Sequence, residues 1–340
     1  MAEQKLPRTK DPRRAIATAK AAAEPSEDRG GEGLDRYDIA ILRALREHFN
    51  ARTEDAALHR GLLDYSAGLA RTADAFDPIH YLLMHPDVLR AAFTGANAVV
   101  NLVGILNEKG DNGRGFRRAH VELTKLVIAA MQLAGVRRLL QMSSLNAGRG
   151  RSHYLKSRGE AEAAVKASGL DWTIFEPSVV FGPGDGLFCR FAALLRIAPV
   201  MPLARAKAKF APVYVGDVVE AMRRCLHLRG SRGEVYELYG PDVFTLAEIV
   251  RLTARQMGLR RWVLPLPDAL GRMQALACDF VPGKPFSSDN FRSLMTDSVG
   301  GIDGLHRLGI PATRVADKLP AILGHVDERQ ARYQRFRAAR

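Results

Sequence analysis

The chain has 340 residues, which is enough for one large domain and a smaller one. Its 47% hydrophobic content fits a globular core, and its formal net charge of +13 favours anionic partners such as nucleotides, nucleic acid or an acidic membrane surface. The three cysteines are far apart, which argues against a disulfide framework or a cysteine metal site, and no apolar run suits a signal peptide or a membrane span.

Residues 1–78 show no regular alternation of strands and helices. Residues 1–33 are rich in charged residues, Ala and Gly and are predicted to be disordered or loosely helical. The stretch Leu34–Phe49 has helical spacing, whereas residues 50–78 are polar and suggest no role. We therefore expect an atypical N-terminal segment, with a frameshift or a misassigned start as the alternative.

From Pro86 onward, helices and strands alternate regularly. The predicted elements are a helix at Asp87–Phe93, a strand at Ala98–Val103, a helix at Phe116–Leu133, a strand at Arg138–Met142, a helix at Tyr154–Ala167 and a strand at Trp172–Phe175. This order predicts an α/β fold with a doubly wound parallel sheet, whose first βαβ unit is missing or replaced. We divide the rest into a Rossmann-like domain at 79–240 and a C-terminal subdomain with a basic tail helix at 241–340.

A candidate site for proton transfer lies where the fifth of these elements begins. Tyr154 opens that helix, and Arg158 follows one turn later on the same face, so its cation could lower the pKa of the phenol. Ser143 or Ser144, after the preceding strand, could bind a substrate carbonyl, and Gly104 would let a flat ligand approach the backbone. The alternatives are a packing tyrosine, a capping serine and a turn glycine. His120 is interpreted as a packing residue, and no metal site is predicted.

A series of motifs covers about three quarters of the chain in order. They are Ala98-Val-Val-Asn-Leu-Val-Gly104, Ala134-Gly-Val-Arg-Arg-Leu139, Met142-Ser143, Gly169-Leu-Asp-Trp-Thr-Ile174, Pro177-Ser-Val-Val-Phe-Gly-Pro-Gly-Asp185, Ala211-Pro-Val-Tyr-Val-Gly-Asp-Val218, Tyr236-Glu-Leu-Tyr-Gly-Pro241 and Pro282-Gly-Lys-Pro285. Together they resemble the atypical, extended-type short-chain dehydrogenase/reductases. Within that group, which includes epimerase/dehydratase-like proteins, they are similar to the NAD(P)H-binding accessory subunit of respiratory complex I and its bacterial relatives.

The resemblance implies a Rossmann fold that binds NAD or NADP. It implies that Ser143, Tyr154 and Arg158 occupy the catalytic positions. It also implies two groups of cofactor-binding residues, namely Asn101, Leu102, Val103 and Gly104 beside the adenosine and pyrophosphate, and Pro177, Ser178, Val179 and Val180 beside the nicotinamide. In the respiratory subunit the cofactor is structural rather than turned over.

Two departures from the family pattern bear on function. The family has lysine at the fourth position after the tyrosine, where this chain has Arg158, which stays protonated and cannot relay a proton. In addition, residues 1–80 contain no apolar strand followed by a Gly-x-Gly-x-x-Gly turn, the usual pyrophosphate site. Enzymatic activity therefore stays open at this stage.

The expected function is NAD(P)(H) binding or oxidoreduction with a weakened cofactor site. The alternative is a non-catalytic assembly or interaction protein, peripheral to a membrane respiratory complex. A third interpretation is attachment to an anionic membrane surface through residues 188–209, a segment that mixes Phe188, Phe191, Leu194 and Leu195 with basic residues. We expect a cytoplasmic protein, either free or peripheral on the inner membrane, with no nucleic acid and no metal.

Overall fold

A computed structural model describes residues 82–324, apart from positions 85, 109, 282 and 283. The predictions made for residues 1–78 and for the basic tail helix therefore lie outside the described residues.

The centre of the fold is a parallel sheet of four strands in the order β1-β2-β3-β8. The strands of the described chain are β1 (Ala98–Asn101), β2 (Arg138–Met142), β3 (Asp171–Pro177), β4 (Val180–Phe181), β5 (Val200–Leu203), β6 (Lys209–Phe210), β7 (Val213–Tyr214), β8 (Glu234–Leu238), β9 (Phe244–Thr245) and β10 (Trp262–Pro265). In the central sheet Val99 pairs with Leu139, and Leu140 pairs with Thr173. Apolar residues fill β1 and β2 because both faces of this sheet are covered.

Helices connect the strands. They are α1 (Pro86–Phe93), α2 (the consecutive segments Arg114–Phe116, Arg117–Glu122 and Leu123–Ala134), α3 (His153–Lys166), α4 (Phe188–Ile197), α5 (Val215–His227), α6 (Leu246–Gln256), α7 (Asp268–Asp279), α8 (Ser288–Ser293), α9 (Gly304–Arg307) and α10 (Val315–Leu323). The middle segment of α2 is a π-helix. Gly135 ends α2 in the left-handed conformation at φ 73°, where a residue with a side chain would be strained.

The helices cover the sheet on both faces. On one face, α1 and α2 bury Phe93, Val127 and Met131 against Leu139 of β2 and Ile174 of β3. On the other face, α5 contributes residues such as Met222 and Cys225, which pack against strand residues. The α/β, Rossmann-like fold with a parallel sheet is confirmed.

The smaller sheets join stretches that are distant in sequence. Strand β5 pairs with β10 and β6 pairs with β9, so residues on both sides of position 240 build the smaller part of the molecule. The division at residue 240 therefore stays a prediction. The expected capping box is present, because the Thr245 side chain accepts from the backbone of Glu248 and the Glu248 side chain accepts from the backbone of Thr245.

Helix α4 divides the apolar residues of the expected membrane-binding segment. Phe188 and Leu195 are fully buried, whereas Leu194 is 37% exposed and Ile197 is 85% exposed. Attachment through residues 188–209 stays a prediction. Among the described helices, none is both long enough and apolar enough to cross a bilayer.

Candidate functional site

The predicted site residues lie at or just beyond the carboxyl ends of β1, β2 and β3, or on α3. In a parallel sheet the carboxyl ends of the strands meet at one edge, which we call the carboxyl edge, and this is where ligands bind in open α/β folds. Helix α3 begins at this edge. Ser152 caps its first turn by accepting from Leu155 N.

Asn101, at the end of β1, is committed to internal hydrogen bonds. It is 1% exposed, and its Nδ2 donates to Gln141 Oε1 at 3.0 Å and to Thr124 Oγ1 at 3.2 Å. Its Oδ1 accepts from Val103 N at 3.1 Å. Asn101 therefore fixes the turn that leads from β1 to Gly104. Leu102, between them, packs on the core at the α5 side of the sheet.

Arg158 joins the ends of two strands. Its Nη1 donates to Val103 O after β1 and to Met142 O at the end of β2, both at 3.1 Å. A Cβ at Gly104 would collide with the guanidinium of Arg158. A side chain at position 104 would therefore have to displace the Arg158 guanidinium, a long-range contact that the sequence interpretation of Gly104 did not foresee.

Tyr154 lies half-buried in an aromatic cluster at the head of α3. Its ring centroid is 5.5 Å from that of His120 and 6.0 Å from that of Phe116, in edge-to-face geometry. The Arg158 guanidinium lies 5.4 Å from the centre of the Tyr154 ring. The structure thus brings the predicted tyrosine and arginine together.

His120 holds this cluster in place as a neutral side chain. Its Nε2 accepts from Ile105 N at 3.1 Å, so Nδ1 carries the proton and faces Ser157 Oγ at 2.8 Å. The Ser157 hydroxyl in turn donates to Tyr154 O at 2.9 Å. Burial, assisted by the nearby Arg158 cation, lowers the pKa of His120 to about 2.

The two serines after β2 have different surroundings. Ser143 Oγ donates to Glu162 Oε1 at 2.6 Å, and Glu162 also pairs with Lys166 at 3.0 Å. Ser144 Oγ is buried and has no hydrogen-bond partner. Ser144 is therefore the serine with an unused hydroxyl, although the sequence favoured Ser143.

Glu176 adds an acidic group that the sequence analysis missed. It is the next-to-last residue of β3, and burial together with the carboxylates of Glu162 and Glu237 raises its pKa to about 7. A lone glutamate inside an apolar strand, Trp172-Thr-Ile-Phe-Glu176, was the available signal.

The Pro177–Val180 stretch is held by backbone hydrogen bonds. Pro177 O accepts from Leu145 N at 2.9 Å, and Ser178 N donates to Leu238 O at 2.8 Å. Val179 O accepts from Val213 N, and Val180 pairs with Val213 in register. The segment is a rigid bridge from β3 to β7, and contact with a nicotinamide stays a prediction.

The C-terminal part of the molecule reaches the head of α3 through Asp289. This side chain is 2% exposed, and it accepts from His153 N at 2.7 Å and from Tyr154 N at 3.1 Å. Arg292 pairs with Asp289 at 2.9 Å and also with Asp111 in the loop after β1. His153, Asp111 and Asp289 offer ligand atoms within 4.8 Å of one another, but Arg292 already supplies a positive charge to both carboxylates. The absence of a metal stays a prediction.

Residues 67–184 match a family of NAD(P)H-binding domains. The chain is 30% identical over 228 residues to the mitochondrial NADH dehydrogenase (ubiquinone) 1 alpha subcomplex subunit 9 of Arabidopsis thaliana, covering 63% of this chain and 56% of that protein. It is 26% identical over 193 residues to the mitochondrial NADH-ubiquinone oxidoreductase 40 kDa subunit of Neurospora crassa, covering 56% and 50%. These matches confirm the resemblance to the NAD(P)H-binding accessory subunit of complex I that the motifs indicated. The chain spans about half the length of these two relatives.

Solved structures that contain bound NAD or NADPH share the fold of this chain. An NADPH-dependent quinone oxidoreductase from Escherichia coli, complexed with NADPH, has a TM-score of 0.55 at 19% identity, covering 70% of this chain and 81% of that one. A dTDP-glucose 4,6-dehydratase from Streptomyces venezuelae has a TM-score of 0.56 at 18% identity, covering 84% and 91%. At these identities the likeness shows the fold alone.

The described part of the carboxyl edge fits a polar ligand of the kind that this family binds. Buried polar atoms nearly always have hydrogen-bond partners, yet Ser144 Oγ and Arg158 Nε have none. Such atoms are satisfied when a ligand supplies the missing donors and acceptors.

Proposed function

We propose that this chain is an NAD(P)(H)-binding protein of the short-chain dehydrogenase/reductase type that holds its dinucleotide rather than turning it over efficiently. The observation that carries the proposal is the position of Arg158. It stands where the family has lysine, and its Nη1 is tied to the carbonyls of Val103 and Met142. A guanidinium fixed in this way can stabilise negative charge but cannot relay a proton.

The other two predicted catalytic residues are consistent with this assignment. Ser143 is bonded to Glu162, so its hydroxyl is engaged away from a substrate carbonyl. Tyr154 keeps an edge-to-face contact with a neutral His120, which cannot serve as its cationic partner. When bound, the dinucleotide would supply hydride chemistry; Arg158, Ser144 and the Gly104 backbone are the groups at this edge that would bind and orient it.

Titration with NADH and NADPH, followed by cofactor fluorescence, tests this function. We expect saturable but weak binding, because residues 1–80 lack the glycine-rich turn that captures pyrophosphate. The choice between NAD and NADP is an outcome of the same titration. Absence of binding at millimolar cofactor would contradict the proposal and favour a non-catalytic assembly protein.

An assay of NAD(P)H oxidation with a quinone or a carbonyl acceptor tests whether the bound dinucleotide is only held or also turned over. We expect little turnover in the wild type and a gain in Arg158→Lys, which restores the family's lysine beside Tyr154. Any turnover should fall by ~10²–10⁴-fold in Tyr154→Phe, because the phenol is the proton donor at the head of α3. Efficient wild-type turnover that is insensitive to Tyr154→Phe would remove both residues from the mechanism.

A second candidate function, attachment to an anionic membrane surface, is supported by the exposed apolar side of α7. Its side chains follow one another at helical spacing, and Met273 and Phe280 are 65% and 84% exposed. On the neighbouring sheet Trp262 is 79% exposed and pairs in register with the exposed Val200. We call these residues, with Leu264, Leu270 and Leu276, the α7 face.

The chemistry of the α7 face suits a lipid surface. Gln274 Nε2 donates to Pro202 O at 3.0 Å, which joins α7 to the strand that carries Val200. Three exposed arginines lie within four residues of its apolar side chains in sequence, namely Arg196, Arg260 and Arg272. Tryptophan beside leucine, with arginine next to them, is typical of proteins that lie at the membrane interface.

Co-sedimentation with phosphatidylglycerol-containing vesicles and with neutral vesicles tests this second function. We expect binding to the anionic vesicles, and loss of binding in the combined variant Met273→Ser, Leu276→Ser and Phe280→Ser. The matched control replaces the exposed Val219 and Ile302, which lie elsewhere, with serine. Equal binding by the α7 variant and the control would exclude the α7 face. Loss of a protein partner without loss of vesicle binding would favour the assembly interpretation.

A further inference from the structure

Arg158 is a buried cation without a counterion. The residue is 6% exposed, and among the described residues no carboxylate forms an ion pair with it. Removing a charge from water costs several kcal/mol unless partners compensate for it. Two backbone carbonyls, of Val103 and Met142, are its hydrogen-bond acceptors in the described chain.

The donors of Arg158 are only partly used. A guanidinium presents five N–H donors, and both hydrogen bonds that Arg158 makes come from Nη1. Nε is buried without any partner, and Nη2 lies directly over Gly104. The unused donors are therefore those of Nε and Nη2, and Nη2 is the one beside Gly104.

Neighbouring carboxylates are committed to other groups. Glu108 accepts from Gly113 N at 2.6 Å and from Gly115 N at 2.7 Å. Glu162 is held by Ser143 and Lys166, and Asp289 is held by the head of α3 and by Arg292. His120 is neutral. None of these groups neutralises Arg158, so its charge is left for something outside the described chain.

Most of the unsatisfied polar atoms belong to loops and helices at the same edge. Four buried side-chain polar atoms in the described residues have no partner, and three of them, Asn107 Oδ1, Ser144 Oγ and Arg158 Nε, belong to residues of the carboxyl edge. Asn107 lies in the loop after β1, and Ser144 lies two residues beyond the carbonyl that Arg158 contacts. The fourth, Arg205 Nε, lies between β5 and β6, on a residue paired with Asp268 at 3.0 Å.

We propose that Arg158 and Ser144 form a binding subsite for an anionic group, a carboxylate or a phosphate, of the ligand held at the carboxyl edge. The anion would accept hydrogen bonds from the free guanidinium donors and from the Ser144 hydroxyl, and it would neutralise the buried charge. The inference rests on the proposed function in placing the ligand at this edge. It extends that function by naming the chemistry that the ligand presents there.

The experiment uses the full chain and two simple anions, malonate and inorganic phosphate, at constant ionic strength. Calorimetric titration should show saturable binding of at least one of them to the wild type. Arg158→Gln should weaken that binding at least tenfold, and Ser144→Ala should weaken it to a smaller extent. Arg205→Gln is the matched control, because it also removes one positive charge and an unpaired Nε, but away from the carboxyl edge.

A measurement on the wild type covers the case in which Arg158→Gln does not fold. The Arg158 Nε–H resonance, assigned from its absence in Arg158→Lys, should shift on addition of the binding anion. An unshifted resonance, no saturable binding of either anion, or equal weakening in Arg205→Gln would overturn the subsite.

NADH titrations in the same samples separate this inference from the proposed function. Anion binding without NADH binding would support the subsite and contradict the function. If both bind and compete, the anion is a phosphate of the dinucleotide. If both bind independently, the anion belongs to a second ligand. Either result supports the subsite and identifies the source of its anion.

Discussion

The two edges of the central sheet each bury an arginine, and they treat it differently. Arg138 lies where the strands of the sheet begin, which we call the amino edge, and it is 7% exposed. It donates to Asp171 O, Thr173 Oγ1, Cys225 O and Ser231 Oγ at 2.6–3.0 Å. At the carboxyl edge, Arg158 is equally buried but donates to two carbonyls and leaves Nε without a partner.

The comparison shows that Arg138 has a structural role, whereas the charge of Arg158 is left without comparable partners. Burial lowers the pKa of Arg138, yet the protein surrounds its guanidinium with acceptors from β3, α5 and the turn at Ser231. Arg158 lacks such a shell, because among the described residues only the carbonyls of Val103 and Met142 accept hydrogen bonds from it. The amino edge is built for stability, whereas the carboxyl edge retains unmet hydrogen-bonding groups.

The largest expected effect is a difference in stability between Arg138→Met and Arg158→Met. Arg138→Met leaves several buried acceptors without a donor, so we expect the free energy of unfolding to fall by about 3–5 kcal/mol. Arg158→Met loses two hydrogen bonds but removes an uncompensated charge, so we expect a loss of about 1–2 kcal/mol. Urea unfolding monitored by circular dichroism measures both. Equal losses would mean that the two edges do not differ as described.

Gly104→Ala should disturb the carboxyl edge through Arg158. The added methyl group displaces the guanidinium from Val103 O and Met142 O, and we expect a loss of about 1–3 kcal/mol in the free energy of unfolding. Gly230→Ala is the matched control at the amino edge, because a Cβ there meets nothing within 4 Å. When Arg158 is already replaced by alanine, Gly104→Ala should lower the free energy of unfolding by much less. Additive losses in the double variant would show that the glycine is required for another reason.

Glu176 should make stability depend on pH at the carboxyl edge. Its pKa of about 7 in the folded chain lies above the ordinary value of 4.5, so its contribution is present in full below that value and is lost as the pH rises through about 7. Glu176→Gln should therefore resemble the wild type at pH 5. At pH 8 it should exceed the wild type by about 1–2 kcal/mol, allowing for the solvent screening of this half-buried group.

Urea unfolding at both pH values checks the expectation for Glu176. Glu234→Gln is the control at the amino edge, where Glu234 pairs with Arg307 at 2.8 Å. A gain for Glu176→Gln of equal size at pH 5 and pH 8 would show that the effect is not titration of Glu176.

The smallest expected effect concerns the link from Asp289 to the head of α3. Asp289→Ala removes the acceptor of His153 N and Tyr154 N, which should cost about 1 kcal/mol, as for other helix caps. Hydrogen exchange of a peptide covering residues 150–158 should accelerate. Asp303→Ala removes the cap of the short helix α9 and should leave that peptide unchanged. Unchanged exchange in Asp289→Ala would show that α3 is held by Ser152 alone.

Much of the fold was predictable because its signals are local. The apolar run Arg138–Met142 is the strand with those bounds, and the predicted helix Tyr154–Ala167 is observed at His153–Lys166. The Thr245–Glu248 capping box is a contact between residues three apart, so it can be predicted from neighbours in the chain. Spacing and cap chemistry decide such elements before tertiary contacts form.

The functional details depended on residues remote in sequence. The Arg158 guanidinium lies against Gly104, which is 54 positions earlier in the chain. Asp289 accepts hydrogen bonds from the head of α3, 136 positions before it. The choice between Ser143 and Ser144 depended on Glu162, which takes the hydroxyl of the first and leaves the second unpaired.

The sequence by itself determined the order of strands and helices, the caps and the family resemblance. Only the tertiary structure decided which polar atoms have partners, and which apolar residues of α4 and α7 face solvent. The physical reason is that periodicity places a side chain on a face of its own element. The elements that pack against that face decide whether its polar atoms find partners and whether its apolar side chains are buried.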